Sequence, residues 1–259
     1  MLFRSFTQPA ILLVSAIAHR LFNDEMNITP VYALGHSLGE FSALVSVCAL
    51  DVIDAVELVN LRGQLMASAC EGQDVGMLVS LGLDDKVVED ICQAQRDAGD
   101  KVWAVNYNAE GQIVVAGVKS DLEKLVPILK EAKAKRAMLL NMSVASHCPL
   151  LESAVAPLAE KLADVLKNEF IAPVVSNATA EKYNTHVEAL DLLQKQLVSP
   201  VLYKQSIAKF DDEVDCYVEF GHGGLLKGLN RKATQKPHFV VSDMNSLALA
   251  IEEIKKLEE

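Results

Sequence analysis

No stretch of about 18 apolar residues runs without charge in this chain, so the sequence carries no transmembrane helix. A secretory leader is not expected either. The apolar stretch from Ala10 to Ala18 has no small-residue cleavage site, is interrupted by His19 and Arg20, and follows Pro9, a helix-start residue. It reads as a core helix. The five cysteines (Cys48, Cys70, Cys92, Cys148 and Cys216) are odd in number, scattered and free of C-x-x-C spacing. That pattern excludes a zinc ribbon and a disulfide framework, and it fits a reducing, cytoplasmic compartment. Basic residues are in deficit, 24 Lys and Arg against 35 Asp and Glu, for a formal charge of -11. Nucleic acid binding is therefore excluded as a main task, and any acidic partner has to find a local basic cluster. Internal repeats, low-complexity tracts and long linkers are also missing.

What is present is a chain of 259 residues that is 51% hydrophobic, enough for one large domain or two unequal ones. Its most informative stretch is Gly35-His36-Ser37-Leu38-Gly39. This is G-x-S-x-G, preceded by a short apolar run, Val31 to Leu34, that suits a buried strand. A helix-like segment from Leu38 to about Ala49 follows it. A serine at such a strand-to-helix turn is a candidate nucleophile, with the next backbone amide aimed at a bound carbonyl oxygen.

Residues 10–22 and 38–70 read mostly as helix, with Asp51 as a candidate N-cap and Asp54 completing a weak capping box. From 76 to 142 the pattern changes. Strand-like Met77–Leu81, helix-like Asp84–Ala98, strand-like runs 102–107 and 112–116 joined by a hairpin at 108–111, a helix from Ser120 to Ala134 and a strand from Arg136 to Met142 give the order βαββαβ. That is the ferredoxin-like split unit. Further helices are expected at 150–166 and 189–197. Short strands are expected at 172–177 and 216–220, and Gly221-His222-Gly223-Gly224 leads into a helix through Leu229. The charged tail from Glu252 reads as a frayed helix end. The fold expected is α/β, a parallel-sheet, hydrolase-like core formed by residues 1–74 and 143–259, with 75–142 as an inserted ferredoxin-like subdomain.

Gly35-His36-Ser37-Leu38-Gly39-Glu40 closely resembles the elbow of the malonyl-CoA:acyl-carrier-protein transacylases of bacterial fatty-acid synthesis. Other stretches resemble that family in order: Thr7-Gln8-Pro9-Ala10, Leu61-Arg62-Gly63, Val105–Asn108 with Gly111–Gly117, Ala134-Lys135-Arg136, and Ser143–His147. So do Gln196-Leu197 with Pro200-Val201, Glu219-Phe220-Gly221, and Leu226–Leu229. Relatives open with a strand and a G-Q-G-S-Q loop well before the T-Q-P-A, which here begins at Thr7. The resemblance therefore implies an N-terminally shortened chain, without that strand and without the loop glutamine whose amide is the second oxyanion donor.

The resemblance implies transfer of a malonyl group from malonyl-CoA to an acidic acyl carrier protein, through an ester on Ser37 and with no cofactor beyond the coenzyme A thioester itself. By position alone His147 is one of six histidines, in a non-helical segment at the exit of the small module. The resemblance makes it the base, in a Ser–His dyad whose imidazole is held by a backbone carbonyl near Gln196. Arg62 is implied as the residue that binds the malonyl carboxylate through paired hydrogen bonds. Leu38 would lend its amide to the oxyanion, Gln196 would help orient substrate, and Met66, one turn beyond Arg62, would line the acyl pocket. His36 and His222 read as shaping residues, and Asn106 and Asn108 as supports of the hairpin. Val144-Ala145-Ser146-His147 is nearer the Y-A-S-H tetrad associated with methylmalonyl in modular synthases, whereas Leu38 is typical of malonyl-selective relatives; malonyl is the reading adopted. Carrier-protein docking is expected at Lys227, Arg231 and Lys232 or at Lys133, Lys135 and Arg136. A monomer free of nucleic acid and membrane is expected. Two other readings stay open: a serine hydrolase or thioesterase, which a carboxylate bonded to His147 would favour, and an inactive acyltransferase remnant.

Overall fold

Three helices open the fold across residues 6–257, the residues that this computed structural model describes. Helix α1 (Thr7–Met26) ends where Asn27 takes a left-handed φ of 51°. It is followed by α2 (Leu38–Ser46) and α3 (Val52–Ala69). Asp51 stands at the N-cap of α3, yet its side chain accepts no cap bond. It pairs with Lys167 Nζ at 2.7 Å instead, so the expected capping box does not form. None of the helices among the described residues is long and apolar enough to cross a membrane.

The βαββαβ order holds. Strands β1 (Val75–Leu81), β2 (Val102–Ala109), β3 (Gln112–Val118) and β4 (Arg136–Leu139) alternate with helices α4 (Asp85–Asp97) and α5 (Lys119–Glu131). They form an antiparallel sheet of order β2-β3-β1-β4. The hairpin between β2 and β3 is tighter than expected, since β2 runs to Ala109 and only Glu110 and Gly111 form the turn. Gly111 supplies the positive φ of 66° that such a turn needs. Side chains alternate along β3, so its two faces serve different cores. Ile113 and Val115 pack with Val88, Cys92, Leu122, Leu125 and Leu129 of α4 and α5. Val114 and Ala116 face the larger core, which gathers Leu12, Phe41, Leu44, Leu58 and Leu158.

Beyond β4 come α6 (Glu152–Val165), β5 (Val174–Val175), β6 (Lys182–Tyr183) and α7 (His186–Val198). Thr185 caps α7: its Oγ1 accepts from the Glu188 amide and its hydroxyl donates to the Glu188 carboxylate. Then follow α8 (Tyr203–Phe210), β7 (Tyr217–Phe220), α9 (Leu225–Asn230), β8 (His238–Val241) and α10 (Met244–Leu257). Of these, α8 and β8 were not foreseen, and α10 begins well before the charged tail.

The parallel part of the sheet is more fragmentary than expected. Residues 31–34 form no continuous strand; Ala33 makes one parallel bridge to Val174, flanked by amide bonds from Ala33 to Pro173 and from Val175 to Ala33. Among the described residues β7 pairs in parallel with β8 alone. Side chains join the pieces where no backbone ladder does. Tyr32 Oη lies 3.2 Å from the Phe210 carbonyl and 3.3 Å from Tyr217 Oη, which in turn donates to Asp211. If Tyr32 links these segments, Tyr32→Phe should cost about 1 kcal/mol and lower the melting temperature by about 2–4 °C. An unchanged melting curve would show that the phenol joins nothing.

Candidate functional site

The elbow is built by a close backbone approach. A Cβ added at Gly35 would lie 2.1 Å from the carbonyl carbon of Gly39, so only glycine lets the chain fold back at that point. Ser37 sits at the apex with φ 54° and ψ -103°, a conformation that L-residues rarely adopt. Asn177, beyond β5, clamps the turn from below. Its Oδ1 accepts from the Ser37 amide at 2.6 Å, and its Nδ2 donates to the Gly35 carbonyl at 2.7 Å. Leu38 is the first residue of α2, where a helix leaves its amides without an intrahelical acceptor.

His147 reaches the elbow from the loop beyond β4, and it too has a positive φ, 61°. Its Nδ1 lies 2.7 Å from the carbonyl oxygen of Gln196 on α7. A carbonyl only accepts, so Nδ1 carries the proton and Nε2 is the free base. Ser37 Oγ lies 2.7 Å from that Nε2 and donates to it. Burial and the nearby Arg62 charge push His147 down to about 3, so the ring is neutral through the ordinary pH range. Among the described residues no carboxylate stands at Nδ1; the Gln196 carbonyl occupies that position.

Arg62, on α3, is only 2% exposed. Its Nη1 donates to Gln8 Oε1 at 2.8 Å, and its Nη2 donates to Ser37 Oγ at 3.0 Å and to Gln196 Oε1 at 3.1 Å. The guanidinium carbon lies 5.3 Å from the centre of the Phe41 ring. Met66 is buried beside it, 3.7 Å from Gln8 Nε2. The structure thus brings Ser37, His147, Arg62, Gln196, Leu38 and Met66 to one place. His36 turns aside to lie beside Tyr203, with the rings tilted by 48°, and its Nε2 donates to Asn108 Oδ1 at 2.7 Å. His222 lies exposed in the loop before α9.

Sequence reading assigned no role to Gln8, Asn177 or Glu40, although Gln8 and Glu40 lie inside stretches already singled out. Glu40 is fully buried and accepts from Gln196 Nε2 at 2.7 Å, the Asn177 amide at 3.0 Å and Tyr183 Oη at 3.0 Å. Burial raises it to about 7, against the pull of these donors and of Arg62. Arg62 is lowered to about 10 by its own burial, with Glu40 opposing. The folded chain therefore holds the Glu40 proton more tightly than an ordinary carboxyl of 4.5 does. Its contribution to stability is present below that value and is lost as pH rises through about 7. Glu40→Gln should destabilise the fold by about 1–3 kcal/mol at acid pH. The gap between wild type and variant should narrow as pH rises across that window. A gap that stays flat in denaturant titrations over the window would mean that folding leaves the Glu40 proton unaffected.

Comparison with known proteins shows the family. The family model described as the acyl transferase domain matches residues 4–256. The chain is 36% identical over 245 residues to the malonyl CoA-acyl carrier protein transacylase of Haemophilus influenzae, covering 94% of this chain and 76% of that protein. Among solved structures, the malonyl-CoA:acyl carrier protein transacylase of Helicobacter pylori superposes with a TM-score of 0.94 at 43% identity, over 97% of this chain and 81% of that one. A malonyl-transacylase in complex with a type II polyketide synthase acyl carrier protein superposes at 0.92 with 34% identity, over 96% and 81%. An elbow serine bonded to a neutral histidine, with a buried arginine on the same oxygen, is thus set in an α/β fold shared with these malonyl transacylases, and the chain belongs to the acyl transferase family.

Proposed function

We propose that this enzyme moves a malonyl group from malonyl-CoA to the phosphopantetheine thiol of an acyl carrier protein, by way of a malonyl ester on Ser37, in type II fatty-acid synthesis. The observation that carries the reading is the 2.7 Å contact from Ser37 Oγ to His147 Nε2 with Arg62 on the same oxygen. His147 takes the hydroxyl proton as Oγ attacks the thioester carbonyl; the C–S bond breaks, and the proton passes to the departing coenzyme A sulfur. In the second half the carrier-protein thiol attacks the ester, gives its proton to His147, and Ser37 is regenerated. The Leu38 amide stabilises the oxyanion at the positive end of α2. Arg62 holds the free carboxylate, Gln196 orients both Arg62 and His147, and Met66 borders the acyl group. The thioester enters as substrate, and the reaction as drawn uses no cofactor.

In this reading residues 1–74 and 143–259 supply the nucleophile, guanidinium and carbonyl, while residues 75–142 form the second wall of the cleft. The hydrolase alternative called for a carboxylate on His147, and the Gln196 carbonyl at that position favours the dyad. The chain acts as a cytoplasmic monomer, away from nucleic acid and membrane. Intact-mass measurement after mixing with malonyl-CoA tests the core of the proposal. Wild type should gain one malonyl adduct, and Ser37→Ala none; an adduct of equal yield in the variant would overturn the assignment.

Docking of the acidic carrier protein is proposed at exposed basic clusters. Lys227, Arg231 and Lys232 are exposed, although α9 ends at Asn230, so Arg231 caps the helix and Lys232 lies in the following turn. Lys133, Lys135 and Arg136 are exposed where α5 turns into β4, the strand that leads on to His147. None of the six makes an ion pair among the described residues, so their charge is available to a partner. Reversing Lys227 and Arg231 should raise the carrier-protein KM severalfold, most at low salt, with Ser37 acylation by malonyl-CoA unchanged. If neither cluster, when reversed, alters that KM or its salt dependence, docking lies elsewhere.

A further inference from the structure

Arg62 touches the very oxygen that the proposed chemistry uses. The proton of Ser37 Oγ is committed to His147 Nε2, and one of its lone pairs accepts the Arg62 Nη2 proton at 3.0 Å. Every acceptor that Arg62 has among the described residues is neutral: the amide oxygens of Gln8 and Gln196 and the serine hydroxyl. Its Nε, fully buried, meets no acceptor among the described residues. A buried cation with an unused N–H and only neutral acceptors is poorly satisfied. A carboxylate would bind it better on both counts, through shorter charge-assisted bonds to adjacent nitrogens. Nη2 divides its donation between Ser37 and Gln196, so the bond to Ser37 is the one a carboxylate can displace without breaking the amide framework.

We infer that Arg62 is a latch on the nucleophile, and that a carboxylate arriving at Arg62 opens it, so that the group which marks the substrate also switches Ser37 on. The inference rests on the malonyl-transfer reading and goes beyond it, because the carboxylate need not be attached to the acyl group. Two effects act in the same direction. Oγ regains the lone pair held by Nη2. The positive charge that helps to depress His147 is also neutralised, so the imidazole accepts the serine proton more readily. Acetyl-CoA, which lacks a carboxylate, meets a latched serine. Acetyl-CoA with free formate presents the parts of a malonyl group in two pieces. In that reaction Oγ bonds to the acetyl carbonyl carbon and the C–S bond breaks. The proton travels from Oγ to His147 and on to the coenzyme A sulfur, and formate is neither consumed nor altered.

The test is the first-turnover rate of Ser37 acetylation by acetyl-CoA, measured with the full chain in a formate titration against chloride at matched ionic strength. A saturable rise of roughly tenfold or more is expected, the scale of one charged hydrogen bond expressed as rate. Over the same range formate should raise the KM for malonyl-CoA competitively. Arg62→Ala should acetylate about as fast as formate-saturated wild type and ignore formate. The competition in wild type decides the case even if that variant folds poorly. Acetylation that formate slows or leaves flat would overturn the latch, and would show that the guanidinium aids the serine by charge alone. Equal activation in Arg62→Ala would overturn it as well. Normal malonyl loading beside formate-insensitive acetylation rejects the latch only; no malonyl adduct on wild-type Ser37 rejects the transferase reading beneath it.

Discussion

A guanidinium buried next to a serine hydroxyl is the constraint around which this structure is arranged. Taking such a charge out of water costs several kcal/mol unless other groups compensate it. Here the compensation is indirect. Arg62 bonds to the side chain of Gln196, and the same side chain donates to the fully buried carboxylate of Glu40. Burial alone disfavours both charges, raising Glu40 and lowering Arg62, while each opposes the other's shift. The aromatic face of Phe41 closes the site from another side. Gln196 is therefore a hub: its backbone carbonyl fixes the His147 tautomer, while its side-chain amide links Arg62 to Glu40 and holds the Ser37 carbonyl.

The same network holds the backbone in rare conformations. Ser37 and His147 both have positive φ, which costs of order 1–3 kcal/mol for a non-glycine residue. Neither is free to relax. Asn177 fixes the amide of Ser37 and the carbonyl of Gly35, and the Gly35–Gly39 contact leaves no room for the turn to open. His147 is held through both ring nitrogens. The dyad unites the turn before α2 and the loop after β4, and α3 and α7 supply the rest, so it exists only when distant parts of the chain are packed together.

Much of this was legible before any coordinates. G-x-S-x-G between an apolar run and a helix-like segment marks its own turn, and the short strand-like runs at 77–81, 102–107 and 112–116 mark their own strands. Arg62, His147 and Gln196 were named through resemblance, since nothing local distinguishes a ligand-binding arginine from a solvated one. Glu40 and Asn177 escaped for a physical reason. A carboxylate in the first turn of a helix usually faces solvent and complements the helix dipole, and its burial here depends on β5, β6 and α7, far away in sequence. The segment at 31–34 satisfied the strand pattern, yet a ladder also needs a partner backbone. There a tyrosine hydroxyl supplies the link, and side-chain links leave no periodic trace. Asp51 misled for a similar reason, because Lys167 competes for the carboxylate that a cap would use.

Helix α1 buries Leu12 and Phe22 against the cores, but Ile11, Leu13, Val14, Ile17 and Leu21 on the same helix remain substantially open to water. Such a strip draws like surfaces together, whereas a formal charge of -11 keeps whole molecules apart. The two forces differ in range and in their response to ions. Electrolyte shortens the repulsion to about 8–10 Å near physiological ionic strength and leaves the apolar attraction intact. The colloidal behaviour of this protein is thereby tied to one helix: the margin by which the charge keeps monomers dispersed is widest in dilute buffer and narrows as salt is added.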